Sequence, residues 1–91
     1  MSVIDPESAW RLHPQVSVRP EPFGALLYHF GTRKLSFLKD RTLLTVVEGL
    51  ADATTARAAC EDAGIADEHL PTYLRALGTL ADSKMIVERA A

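Results

Sequence analysis

Between Phe23 and Asp40 apolar and polar positions alternate with a period of two, and beyond Asp40 the apolar period lengthens to about 3.6. The first part predicts a hairpin. Gly24-Ala25-Leu26-Leu27-Tyr28-His29-Phe30 reads as a strand with Leu26, Tyr28 and Phe30 on one face and Ala25, Leu27 and His29 on the other. Gly31 begins a Gly-Thr-Arg-Lys turn, and Lys34-Leu35-Ser36-Phe37-Leu38 reads as the returning strand, with Leu35 and Phe37 sharing a face and Ser36 and Leu38 opposite. One side of this hairpin is clearly apolar and the other mixed, so the helices that follow are expected to cover the apolar side. Upstream, Leu12, Val16 and Val18 alternate around His13-Pro14-Gln15 and predict one short strand. Arg19-Pro20-Glu21-Pro22 cuts it off, because proline cannot donate to a ladder, and that places it near a sheet edge.

Asp40 stands where it can cap a first helix, along which Leu43, Val46/Val47 and Leu50 recur at helical spacing, with Gly49 near its end. Asp52-Ala53-Thr54 supplies a second start signal. Ala56, Ala59, Cys60 and Ala63 then form a narrow stripe of small residues ending at Gly64. A third helix opens around Asp67 to Pro71, where proline is tolerated in the first turn, and carries Leu70, Tyr73/Leu74, Leu77 and Leu80/Ala81 on one face. Asp82-Ser83-Lys84 breaks it, and Met85-Ile86-Val87 is an apolar tail that packs back as a short strand. Residues 1–9, polar and punctuated by Pro6, read as a flexible N-terminal arm, leaving 10–91 as a single domain. The fold class is α+β and winged helix-turn-helix-like: an N-terminal three-stranded antiparallel sheet followed by three helices. Such a layout serves DNA binding, peptide binding and plain subunit contacts, so function must come from the site.

Composition narrows the choice. A chain of 91 residues, 47% hydrophobic, has room for one core. No apolar run approaches a membrane span or a signal-peptide core of roughly 7–15 residues, so no membrane partner is expected and a cytoplasmic protein is. Cys60 has no disulfide partner within the chain and sits on an alanine-rich face that suits a small packed thiol; with three scattered histidines it offers no paired metal-ligand spacing. His13 follows a turn, His29 alternates outward on a strand and His69 opens a helix, and none has a nucleophile or carboxylate at a catalytic spacing. The glycines never cluster into a phosphate cradle. No catalytic residue, metal site or cofactor is therefore expected, and the chain reads as a non-enzyme. Nucleic acid is disfavoured as well. Between Ala51 and Asp82 the charges are Arg57 and Arg75 against Asp52, Glu61, Asp62, Asp67, Glu68 and Asp82, a balance that repels phosphate.

The hairpin departs from this acidic balance. Arg33, Lys34, Lys39 and Arg41 lie close together with Asp40 the sole offset, a local surplus of three positive charges in a chain of formal charge −2. Cations on an edge strand discourage accidental sheet pairing. They also suit a docking edge, where an extended peptide pairs its backbone with Lys34 to Leu38 and its acidic side chains meet the cations. An unpaired strand accepts its own twin too, so a homodimer through this edge is the self-associating alternative, beside winged-helix DNA binding.

The strings "WRLHPQVSVRPEPFGALLYHFGTRKLSFL", "LLTVVEGL" and "YLRALGTLADSKMIV" resemble the mycofactocin-system peptide chaperones, and more broadly the precursor-peptide recognition elements such as the pyrroloquinoline-quinone peptide chaperone. The resemblance covers about Trp10 to Val87. It implies a winged fold without catalytic activity that presents a ribosomally made precursor peptide to a radical S-adenosylmethionine maturase, whose iron–sulfur clusters and S-adenosylmethionine belong to the enzyme. It further implies that the acidic leader of the precursor adds as a strand beside the third strand of the sheet and lies against the third helix. Carried onto this chain, the peptide-binding residues are Arg33, Lys34, Leu35, Ser36, Phe37 and Leu38 on the strand and Leu70, Tyr73, Leu74 and Leu77 on the helix. Leu70, Leu74 and Leu77 must also serve the core in any version of the fold. Tyr73 suits the groove better, its ring lining an apolar cleft while its hydroxyl stays wet. Trp10 reads as a core anchor.

Overall fold

The computed structural model describes residues 4–89. Four strands come first: β1 (Trp10–Leu12), β2 (Val16–Glu21), β3 (Gly24–His29) and β4 (Leu35–Leu38). Three helices follow, α1 (Arg41–Gly49), α2 (Ala56–Asp62) and α3 (Leu70–Asp82), then a last strand, β5 (Ile86–Glu88). β2, β3 and β4 form an antiparallel sheet in that order, with Val18 opposite Leu27 and Leu27 opposite Ser36. The expected three-stranded sheet followed by three helices is present. The strand expected around Leu12 to Val18 is in fact two, because the 13–15 turn separates β1 from β2. β1 leaves the main sheet and pairs antiparallel with β5, Leu12 opposite Ile86. β2 is an edge strand as expected, but it runs through Pro20 to Glu21, since an edge tolerates the missing donor.

The faces of the hairpin are assigned the other way round from the sequence expectation. Helices cover the mixed side, where Ala25, Leu27, His29 and Leu38 are buried, and the side bearing Leu26, Tyr28, Phe30, Leu35 and Phe37 faces away from them. Alternation defines two faces without choosing between them. The choice follows size. Ala25 and Ser36 let α1 come close, and Leu27 and Leu38 fill the space against Val46, Val47 and Leu50. His29, expected to point outward, is buried by the same parity. β3 and β4 are tightly apposed at their far end, where a Cβ on Gly24 would come 1.8 Å from the carbonyl oxygen of Leu38.

The helix boundaries follow local chemistry. The carboxylate of Asp40 accepts the N–H of Thr42 at 2.8 Å and caps α1. A 3₁₀ turn over Leu50–Asp52 follows, and the hydroxyl of Thr55 caps α2 by accepting the N–H of Ala58 at 3.0 Å. Pro71 lies in the first turn of α3. That helix stops where Lys84 turns left-handed (φ 64°) and the N–H of Met85 reaches back to the carbonyl of Leu80 at 2.9 Å. Met85 and Ile86 then bury fully, so the apolar tail does return as a strand. Trp10 is half-buried against the core.

Residues 4–9, read from their polarity as a loose arm, lie on α2: Ile4 is buried, and the carbonyls of Pro6 and Ser8 accept the N–H groups of Arg57 and Ala56, each at 2.9 Å. Those donors belong to the first turn of α2 and have no partner within the helix, which is why a polar segment docks there. Glu7 adds an ion pair with Arg57 at 2.7 Å. Residues 1–3 of that arm fall outside the described region.

Candidate functional site

β4 pairs with β3 on one side and, among the described residues, with no strand on the other. Antiparallel ladder bonds alternate, and the bond from the N–H of His29 to the carbonyl of Lys34 at 3.0 Å fixes the parity. Ser36 and Leu38 therefore bond to β3, while the N–H and C=O groups of Leu35 and Phe37 point to the open side. Arg33, in a left-handed conformation (φ 63°), and Lys34 turn the chain into this strand, and Lys39 and Arg41 leave it. All four are exposed, and among the described residues none is within ion-pair distance of a carboxylate. Their charge faces solvent.

At the far end of β4 the chain passes Asp40 and enters α1, and α3 crosses nearby. A cleft of about 550 Å³ opens there, lined by Asp40, Thr42, Leu43, Ile65, His69 and Tyr73. Tyr73 closes one wall with a bond that the sequence did not suggest: its hydroxyl donates to the second carboxylate oxygen of Asp40, whose first oxygen caps α1. The Tyr73 bond, aided by the N–H of Thr42, holds the Asp40 carboxyl below the usual carboxylate range. The same bond, with burial, pushes the Tyr73 phenol up. The hydroxyl expected to stay wet is thus the tie between α3 and the start of α1.

The other expected groove residues lie apart from this cleft. Leu77 is fully buried in the core and Leu70 nearly so. Leu70 and half-buried Leu74 face a second cleft of about 710 Å³ between α3 and the arm, with Ile4, Pro6 and Arg57 on its other side. On the strand, Leu38 is buried, Ser36 half-buried, and Leu35 and Phe37 exposed on the outer face. The structure therefore places Tyr73 and Asp40 on one cleft just beyond the end of β4, leaves the strand and its cations outside the lining of that cleft, and gives the three leucines to packing and to the second cleft.

Two features escaped the sequence reading. His29 accepts the N–H groups of Gly31 and Thr32 on Nδ1, at 3.0 and 3.1 Å, which puts the neutral ring's proton on Nε2 and uses the histidine to shape the turn before the cations. Strand parity from Ala25 and Leu27 would have buried it. Its ring lies 4.3 Å from that of His13, whose pKa is lowered by burial and then by His29 and Arg11. The second is the exposed outer face of the sheet. Cys60 is buried and its thiol is pushed up by that burial, a packing residue as the stripe suggested.

Comparison with known proteins now adds to the geometry. The family model for the peptide chaperone MftB family matches residues 9–87. This chain belongs to that family. It is 64% identical over 88 residues to the peptide chaperone MftB of Mycobacterium tuberculosis, covering 97% of this chain and 81% of the relative. It is 65% identical over 89 residues to that of Mycobacterium ulcerans, with the same coverage. Against that of Mycolicibacterium smegmatis it is 64% identical over 84 residues, 92% of this chain and 82% of the relative. No solved structure matches. The matched region spans every element from β1 through β5 except the end of the last strand, so the β4 edge and its cleft lie inside it. Membership agrees with the resemblance to the mycofactocin-system chaperones and makes this a peptide chaperone of a non-catalytic family. No helix of the described residues is long and apolar enough to cross a membrane.

Proposed function

We propose that this peptide chaperone takes the acidic leader of its precursor peptide as a further strand on β4 and presents the peptide to a radical S-adenosylmethionine maturase. The observation that carries the reading is the β4 edge, which among the described residues has no neighbouring strand, with outward N–H and C=O groups at Leu35 and Phe37 and, around it, four cations that meet no carboxylate of the described residues. Backbone pairing supplies affinity without regard to sequence. Selection comes from elsewhere. Alternate side chains of an added strand would fall on the outer face beside Leu35 and Phe37 and on the inner side toward Tyr73 and the 550 Å³ cleft. Arg33, Lys34, Lys39 and Arg41 favour carboxylates and speed their approach. The opposite edge is a poorer host, because Pro20 on β2 offers no N–H.

The charge term is tested by replacing Arg33 and Lys34 with glutamate and following association with the precursor peptide by stopped flow. The expected outcome is an association rate lower by about tenfold in dilute buffer, the difference shrinking as salt is added. Equal rates at low salt would leave the cations no role beyond keeping the edge unpaired.

A further inference from the structure

The outer face of the sheet carries more exposed apolar surface than any other part of the described molecule. Phe23, Phe30, Leu35 and Phe37 are 51%, 59%, 60% and 60% exposed. They form one surface. Phe37 stands opposite Leu26 and its ring is 6.0 Å from that of Phe23, while Tyr28 stands opposite Leu35 and its ring is 5.1 Å from that of Phe30. A sheet with helices on one face ordinarily turns a polar face to water, and a contiguous apolar one marks a contact surface.

The border of this face is basic. Arg19, opposite Leu26, lies within it, Arg33 stands at the Phe30 end, and Lys39, two residues beyond Phe37, stands at the other. Glu21 is the acidic residue nearby, and it is already 3.5 Å from Arg19. Two-fold docking of a second copy would bring the basic border of one face against that of the other, which is unfavourable. Width excludes the leader strand as the main occupant. Three strands span about 10 Å, whereas a strand added to β4 lies about 4.8 Å beyond it and reaches only the Leu35 and Phe37 row.

We infer that the outer face of the β2–β3–β4 sheet docks a folded protein whose contact surface has an apolar centre bordered by carboxylates, and that this partner is the maturase. The inference rests on the presentation step proposed above and gives it a surface. Because the face adjoins β4, a partner seated on it would lie beside the added peptide and touch alternate side chains of the same strand. Peptide and partner then occupy neighbouring surfaces without competing.

The test uses the purified maturase as probe, with Phe30→Ser and Arg19→Glu as separate variants, both at exposed positions away from the β4 edge. Maturase affinity and precursor-peptide affinity are measured for each. The expected result is maturase binding weakened tenfold or more, with peptide affinity within about twofold of the parent, which also shows that the variants fold. Unchanged maturase affinity in both variants would overturn the surface while leaving presentation intact. A parent chain with no affinity for the maturase, with or without peptide, would overturn presentation and the surface together. Peptide affinity that falls in parallel with maturase affinity would make the face part of the peptide site, and a parent dimer lost in Phe30→Ser would make it a self-association surface; either overturns the inference.

Discussion

Asp40 links three elements, since it follows β4 by two residues, caps α1 and accepts the hydroxyl of Tyr73 from α3. Replacing Tyr73 with phenylalanine leaves the cap and removes the tie, so the Asp40 carboxyl should move up toward the ordinary range, as followed by carboxyl-carbon NMR. The carboxyl lies below its unfolded value, so the stabilisation it confers is present above pH about 4 and fades as pH falls through the folded value. The phenol lies above its unfolded value, so its share is present below pH about 10 and fades as pH rises through the folded value. Tyr73→Phe should therefore cost about 1 kcal/mol near neutrality, a figure kept low because both groups are partly exposed, with the gap to the parent narrowing at both extremes. An unmoved Asp40 carboxyl would contradict the tie. Gly24 offers a second check. A methyl group there meets the Leu38 carbonyl, so Gly24→Ala should destabilise by about 1–3 kcal/mol in denaturant titration, because β3 and β4 must part to admit it.

At the scale of elements, the order of strands and helices was legible because each carries its own signal. Asp40 before Leu43, Pro71 in a first turn and Lys84 after an apolar face are local features that tertiary packing left in place. The β4 edge was legible for the same reason, from alternation and the four cations. What was not legible depended on a choice between equivalent alternatives. Either face of the hairpin could have met the helices, and aromatic content pointed to the wrong one; the fit of Ala25 and Ser36 under α1 decided the matter. The α3 stripe likewise hid a division of labour. Leu70, Tyr73, Leu74 and Leu77 share a helical face in sequence, yet the angle of α3 turns Tyr73 toward Asp40, Leu74 toward the arm and Leu77 into the core. The docking of Ile4 to Ser8 on α2 left no trace because it rests on backbone carbonyls, which composition does not record.

Across the whole molecule, charge and polarity are sorted. The helical half is acidic, the hairpin is basic, and the apolar surface left over faces away from the helices. The β4 edge adjoins that surface and leads to Asp40 on the wall of the cleft beside Tyr73, and the membership of this chain among the MftB peptide chaperones supports the proposal that a peptide is what the edge takes. The central claim is that the peptide pairs with β4. Titrating the isotopically labelled chain with its precursor peptide while following backbone amides tests it most directly. Shifts are expected to concentrate at Lys34 to Leu38 and around Thr42, Ile65 and Tyr73. Shifts confined to β2, to the β1–β5 pair or to the Leu74 cleft would contradict it.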